Sequence, residues 1–154
     1  MELRFVDATN ADFAMLAQKL DDYYFELVGD VHLRYAQYNR PENFACLAVV
    51  YADYQPIACG AWKAVDPVTA ELKRIYVLPE HRRKGAATML IKAMEENAAA
   101  TGCHKMLLET ARTTADSEQL YLSLGYQKMD YYGSPAGADN CLCFEKEISD
   151  GTMR

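Results

Sequence analysis

Around Val77 the chain passes from strand-like to helix-like sequence with no long linker, and this passage constrains the fold more than any other feature. Glu71-Leu72-Lys73-Arg74-Ile75-Tyr76-Val77 reads as a strand, and Leu78-Pro79 turns the chain. After Glu80, His81-Arg82-Arg83-Lys84 concentrates basic charge, Gly85-Ala86-Ala87-Thr88 carries little bulk, and Ala87–Ala100 has the spacing of an amphipathic helix. A strand feeding a helix through a short glycine-containing loop belongs to an α/β fold. The start of such a helix leaves backbone N–H groups without intrahelical acceptors and carries partial positive charge, which suits a phosphate. Arg82, Arg83 and Lys84 add full charges, while Gly85, Ala86 and Ala87 let a ligand approach the backbone.

The remaining chain alternates in the same manner. Leu3–Val6 reads as a first strand. Thr9 or Asn10 caps a helix from Ala11 to Val28, with Phe13, Leu16, Leu20, Tyr24 and Leu27 at helical spacing. Gly29-Asp30 ends it, and Val31–Tyr38 reads as a second, shorter helix. Cys46–Tyr51 and Ile57–Val65 form an antiparallel hairpin around Ala52-Asp53-Tyr54-Gln55, and Ala70–Val77 is the fourth strand. The following helix stops at Gly102, and Lys105–Glu109 is a fifth strand. Asp116–Leu124 is a helix ended by Gly125. Tyr126–Tyr131 and Cys141–Glu147 are the last strands, joined by the Gly133–Asn140 loop. With 154 residues and no repeat or low-complexity linker, one domain over 1–148 and a short tail over 149–154 are expected.

Charge and cysteine usage narrow the function. The net charge of −6 argues against a nucleic-acid surface and makes the His81–Lys84 cluster a local exception. The five cysteines are scattered, mostly within apolar runs, and read as free thiols of a reducing cytoplasm. Cys141-Leu142-Cys143 lacks zinc spacing, so no metal is expected. The apolar runs are too short to span a bilayer, and the N-terminal Met1-Glu2-Leu3-Arg4 has no signal-peptide core, so neither membrane nor export is expected.

Arg82-Arg83-Lys84-Gly85-Ala86-Ala87 resembles the acyl-CoA pyrophosphate loop of the GNAT superfamily of N-acetyltransferases, whose pattern is Gln/Arg-x-x-Gly-x-Gly/Ala. The order of strands and helices resembles that family over nearly the whole chain, and the C-terminal strand looks like that of its small stand-alone bacterial members. The resemblance implies a mixed, mostly antiparallel central sheet with flanking helices, whose parallel fourth and fifth strands splay to admit acetyl-CoA. It implies that main-chain groups of Ile75, Tyr76 and Val77 hold the pantetheine arm and the thioester, and that Arg82–Thr88 holds the pyrophosphate. Leu120-Tyr121-Leu122-Ser123-Leu124-Gly125-Tyr126 matches a second family segment, Leu-Tyr-x-x-x-Gly-Phe/Tyr. Its tyrosine, Tyr121 here, protonates the departing thiolate; the plain alternative is a core tyrosine. Seven residues earlier, where many relatives have a cofactor-binding asparagine, this chain has Thr114.

The attacking amine must be neutral, so a base is needed. In some members it is a glutamate six residues before the end of the fourth strand, which is Glu71 here. Strict alternation puts Glu71, Lys73, Ile75 and Val77 on one face; Lys73, with Arg74 as a second flanking cation, then holds the carboxylate ionised and weakens it as a base, and the plain alternative is a strand-start charge paired with a lysine. Glu109 and ordered water are the rivals. The segments that shape the acceptor pocket in the family carry Asp21, Asp22, Tyr23, Tyr24, Glu26, Asp30, Tyr35, Tyr38, Tyr131 and Tyr132, which suit a cationic amine. Arg34, Arg74 and Arg112 are candidate partners for an acceptor carboxylate. The expected activity is therefore direct acetyl transfer from acetyl-CoA to a small primary amine in a ternary complex. A protein lysine or N-terminus is the alternative acceptor, and a non-catalytic acyl-CoA-binding module the alternative class. The sequence leaves the oligomeric state open, a homodimer included.

Overall fold

The computed structural model describes residues 1–28, 40–111, 115–132 and 141–149. The expected second helix over 31–38, with Asp30, Arg34, Tyr35 and Tyr38, lies outside the described residues, as do Arg112, Thr114 and the 133–140 loop. Seven strands and three α-helices follow in the order β1 (Glu2–Val6), α1 (Ala11–Val28), β2 (Cys46–Ala52), β3 (Gln55–Asp66), β4 (Thr69–Val77), α2 (Ala86–Ala100), β5 (Lys105–Ala111), α3 (Ala115–Ser123), β6 (Gln127–Met129) and β7 (Cys141–Glu147). The strands form one mixed sheet in the order β1-β2-β3-β4-β5-β7-β6. The β4–β5 pair is parallel, as expected, and its registered pairs are only Thr69↔Lys105, Ala70↔Met106 and Glu71↔Leu107 of a nine-residue β4. Two compact units divide the chain: Met1–Lys63 with Lys73–Met94, and Ala64–Leu72 with Glu95–Arg154.

The first unit is organised by α1. Asn10, not Thr9, is its cap: the Asn10 side-chain oxygen accepts the Phe13 N–H at 2.8 Å, whereas the Thr9 hydroxyl donates to Asp7. The cap sets where the helix begins and is worth about 1 kcal/mol. Packing holds it in place. Phe13, Leu16 and Leu20 are buried against Phe44, Leu47, Val49, Cys59, Ala61 and Tyr76, and each such side chain contributes about 1.5–3 kcal/mol. The β2–β3 hairpin closes through Asp53 and Tyr54, both left-handed at φ 50° and 66°, the geometry that matches the strand twist in a two-residue turn. Gly60 lets β3, β4 and α2 approach, because a Cβ there would lie 2.7 Å from Ile75 Cδ1 and 3.4 Å from Leu90 Cδ2.

In the second unit β7 is the organising strand. It pairs with all of β5, from Lys105↔Glu147 to Ala111↔Cys141, and carries β6 on its other edge. This pairing extends β5 beyond the expected Glu109. The expected last hairpin is trimmed at its first strand: β6 covers Gln127–Met129 rather than Tyr126–Tyr131. Only those three residues pair, with Glu145, Phe144 and Cys143, and the side chains beyond them have other partners. Tyr121, Tyr126 and Phe144 form a buried aromatic group with centroids 5.8–6.0 Å apart. The Tyr126 hydroxyl donates to Glu95 Oε2 at 2.7 Å, and Lys146 Nζ donates to Glu95 Oε1 at 3.0 Å. Among the described residues no helix is long and apolar enough to cross a membrane, and no group of three or more His, Cys, Asp or Glu side chains could hold a metal. All five cysteines are thiols and not disulfides.

Candidate active site

The strand-to-helix passage folds as a turn of 3-10 helix, Pro79–His81, an irregular basic loop, and α2. Two loop residues are left-handed, Arg83 at φ 64° and Gly85 at φ 93°. The Gly85 carbonyl accepts the Met89 N–H at 3.0 Å and so opens the helix. The N–H groups of Ala86, Ala87 and Thr88 therefore sit in the first turn, where a helix supplies no acceptor. Around Gly85 there is open space, the nearest atom to an added Cβ being Met1 Cε at 3.9 Å; glycine is needed there for its backbone angle and leaves room above the helix start. Arg83, Lys84 and Gly85 are exposed. These residues offer an anion backbone donors, helix-terminal charge and two exposed cationic side chains.

Arg82 also has partners at the end of β4. Its Nε donates to the Val77 carbonyl at 3.0 Å and its guanidinium lies 5.8 Å from the Tyr76 ring centroid. Arg82 thus ties the loop back to the end of β4 and engages one of the main-chain groups at Ile75–Val77.

β4 does not keep the strict alternation its sequence suggests. Arg74 is left-handed at φ 59° within the strand, a conformation that costs a non-glycine residue roughly 1–3 kcal/mol and turns the strand locally. Its surroundings hold it there. The buried guanidinium donates to Asp21 Oδ1 at 2.8 Å and to the Ala17 carbonyl at 2.7 Å, both on α1. Its own carbonyl accepts the Cys59 thiol at 3.3 Å, and burial pushes that thiol up to about 12. Arg74 is thus paired with Asp21 and is not the cation that holds Glu71, nor a free partner for an acceptor carboxylate. Asp22 and Glu26 line the wet side of α1, where Asp22 accepts from Gln18 at 2.9 Å; Tyr23 and Tyr24 meet edge to face at 5.7 Å.

Glu71 lies where the β4–β5 ladder stops and is only 5% exposed. The Tyr132 hydroxyl donates to its Oε2 at 2.6 Å. Glu109, two residues along β5 from the register partner of Glu71, accepts from the Tyr131 hydroxyl at 3.2 Å. Burial, reinforced by the Glu71 charge, pushes the Tyr132 phenol far above the usual tyrosine range, so it stays a proton donor in its hydrogen bond. Tyr121 is 8% exposed, on α3, with its ring between Tyr126 and Phe144. The Tyr132–Glu71 and Arg74–Asp21 pairs were not legible in sequence, since each joins segments far apart along the chain. The only trace is composition: a tyrosine pair after β6 and an acidic α1.

Residues 13–126 match the Acetyltransferase (GNAT) family, and the chain belongs to that family and is an acetyltransferase. Aminoglycoside N(6')-acetyltransferase type 1 of Acinetobacter haemolyticus is 32% identical over 107 residues, covering 64% of this chain and 74% of that protein. The uncharacterized N-acetyltransferase YjcF of Bacillus subtilis is 36% identical over 74 residues, 48% of this chain and 51% of that one, so the chain spans about half its length. Among solved structures, the PaiA N-acetyltransferase of Thermoplasma acidophilum in complex with coenzyme A shares the fold at TM-score 0.71 and 16% identity, covering 96% of this chain and 100% of that one.

Proposed function

We propose that this protein, with residues 1–148 acting as one domain and 149–154 as a tail, transfers the acetyl group of acetyl-CoA to a primary amine of a small cationic molecule in the cytoplasm. The observation that carries this reading is the anion-binding start of α2, Gly85–Thr88 with Arg83 and Lys84, in a chain of this family. Acetyl-CoA supplies the activated thioester. The coenzyme A complex of the related fold supports that donor, and the aminoglycoside acetyltransferase relative supports a small polyamine-like acceptor.

The residues divide the work as follows. Arg83, Lys84 and the amides of Ala86, Ala87 and Thr88 hold the pyrophosphate; Arg82 fixes the loop they stand on, and main-chain groups of Ile75–Val77 hold the acyl arm. Thr114 contributes a hydroxyl to the same donor. Glu71, backed by Glu109, attracts the ammonium and accepts its proton, since only the neutral amine attacks. The amine nitrogen adds to the thioester carbonyl carbon, and the tetrahedral intermediate collapses as the carbon–sulfur bond breaks and Tyr121 gives its proton to the departing thiolate. The second proton leaving the nitrogen passes through solvent to restore Tyr121, and Glu71 releases the first to solvent. No covalent enzyme intermediate is needed.

The test is thiol release from acetyl-CoA with a panel of amines: an aminoglycoside bearing a free 6′-amino group, an aliphatic diamine and an amino-acid ester. Release with at least one is expected. Tight acetyl-CoA binding without release by any of them would move the reading to a protein acceptor or to a non-catalytic acyl-CoA-binding module.

A further inference from the structure

We infer that Tyr132 is a positioning residue for Glu71: its hydroxyl holds the carboxylate in the orientation in which it meets the acceptor amine. The inference rests on the reading of Glu71 as the base, and concerns a residue outside both family motifs.

Three observations carry it. The first is the contact itself, 2.6 Å from phenol to carboxylate oxygen, within the range of a charge-assisted hydrogen bond. The second is where Glu71 stands. A glutamate has three rotatable side-chain bonds, and ordering it costs up to about 2 kcal/mol of rotamer freedom. A base left to find its orientation during each turnover would bear that cost in the reaction. A phenol anchored by a rigid ring bears it beforehand, in the folded state. The third is the chemical state of the partner. Burial and the adjacent carboxylate keep the Tyr132 proton on its oxygen, so this phenol neither accepts nor relays the amine proton. It can only donate to Glu71, which is the part of a positioning group.

The neighbouring residue makes the same kind of contact less closely. Tyr131 donates to Glu109 at 3.2 Å. Residues 131 and 132 follow β6 after one intervening residue, Asp130; the last β6 pair is Met129↔Cys143.

A double-mutant cycle on the full chain tests the inference, using the amine of the panel above with the highest kcat/KM. Glu71→Gln is expected to lower kcat/KM about a hundredfold. Tyr132→Phe is expected to lower it about tenfold, through kcat, with the acetyl-CoA Kd unchanged by calorimetry. In the Glu71→Gln background Tyr132→Phe is expected to cost less than about twofold, because a residue that acts through Glu71 has nothing left to act on. Loss by Tyr132→Phe of the same factor in both backgrounds overturns the inference while leaving Glu71 as the base. An unchanged kcat/KM in Glu71→Gln overturns the base assignment and the inference with it. A readout independent of turnover is the carboxyl carbon resonance of Glu71, identified by its disappearance in Glu71→Gln. It is expected to move in Tyr132→Phe and to stay in place in Tyr131→Phe; a resonance unmoved by loss of the Tyr132 hydroxyl also overturns the inference.

Discussion

The basic loop at Arg82–Thr88 and the carboxylate pair at Glu71 and Glu109 are built in opposite ways. The loop is contiguous, exposed from Arg82 to Gly85 and made largely of backbone: two left-handed residues, the first turn of α2 and one arginine folded back on Val77 and Tyr76. The carboxylates are brought together from β4 and β5 and are met by phenols from a third segment. A contiguous loop follows from local conformational rules, so its residues announce it. A carboxylate pair on two strands is assembled only once the strands have paired, and no local run of residues encodes it.

This contrast can be broken most sharply at Gly85. Gly85→Glu places a side chain on a left-handed backbone and a negative charge at the helix start, and acetyl-CoA affinity is expected to fall more than about a hundredfold. Calorimetry on a variant with the parent circular dichroism spectrum checks this; unchanged affinity would remove the loop from the donor site. Next in size is Tyr121→Phe. It keeps the aromatic packing with Tyr126 and Phe144 and removes one hydroxyl, so single-turnover acetyl transfer is expected to slow about a hundredfold or more at an unchanged acetyl-CoA Kd. Equal rates would leave Tyr121 a core residue.

The smaller effects concern stability and test the same contrast away from the chemistry. Asp21→Ala leaves the buried Arg74 guanidinium with the Ala17 carbonyl as its one remaining acceptor on α1, and is expected to cost roughly 2–3 kcal/mol in urea unfolding. A loss under about 0.5 kcal/mol, the range of ordinary surface changes, would mean that the Arg74 backbone is held by β4 itself. Asn10→Ala removes a local cap and is expected to cost about 1 kcal/mol by the same measurement, with Asn10→Ser restoring most of it.

Local elements were read closely from sequence where a local rule fixes them. The bounds of α1 and β7 agree with the reading, because a cap, a helical apolar stripe and a short β-rich run suffice. The end of β5 differs from the reading because β7 pairs with it as far as Ala111, and β6 is shorter because only Gln127–Met129 pair with β7 while Tyr131 and Tyr132 bond to Glu109 and Glu71. The regular alternation read for β4 fails at Arg74 for a similar reason. Nothing in Lys73-Arg74-Ile75 calls for a left-handed arginine; an aspartate on α1, the Ala17 carbonyl and the Cys59 thiol hold one there.

The sequence by itself determined the family, the strand-to-helix loop and the residue types a transferase of amines would use, because these depend on order and spacing along the chain. Tertiary structure alone decided that Arg82 ties down its loop, that Arg74 belongs to Asp21, and that Glu71 is met by Tyr132. A long side chain has several partners within reach of its charge, and which one it takes is fixed by the packing that surrounds both.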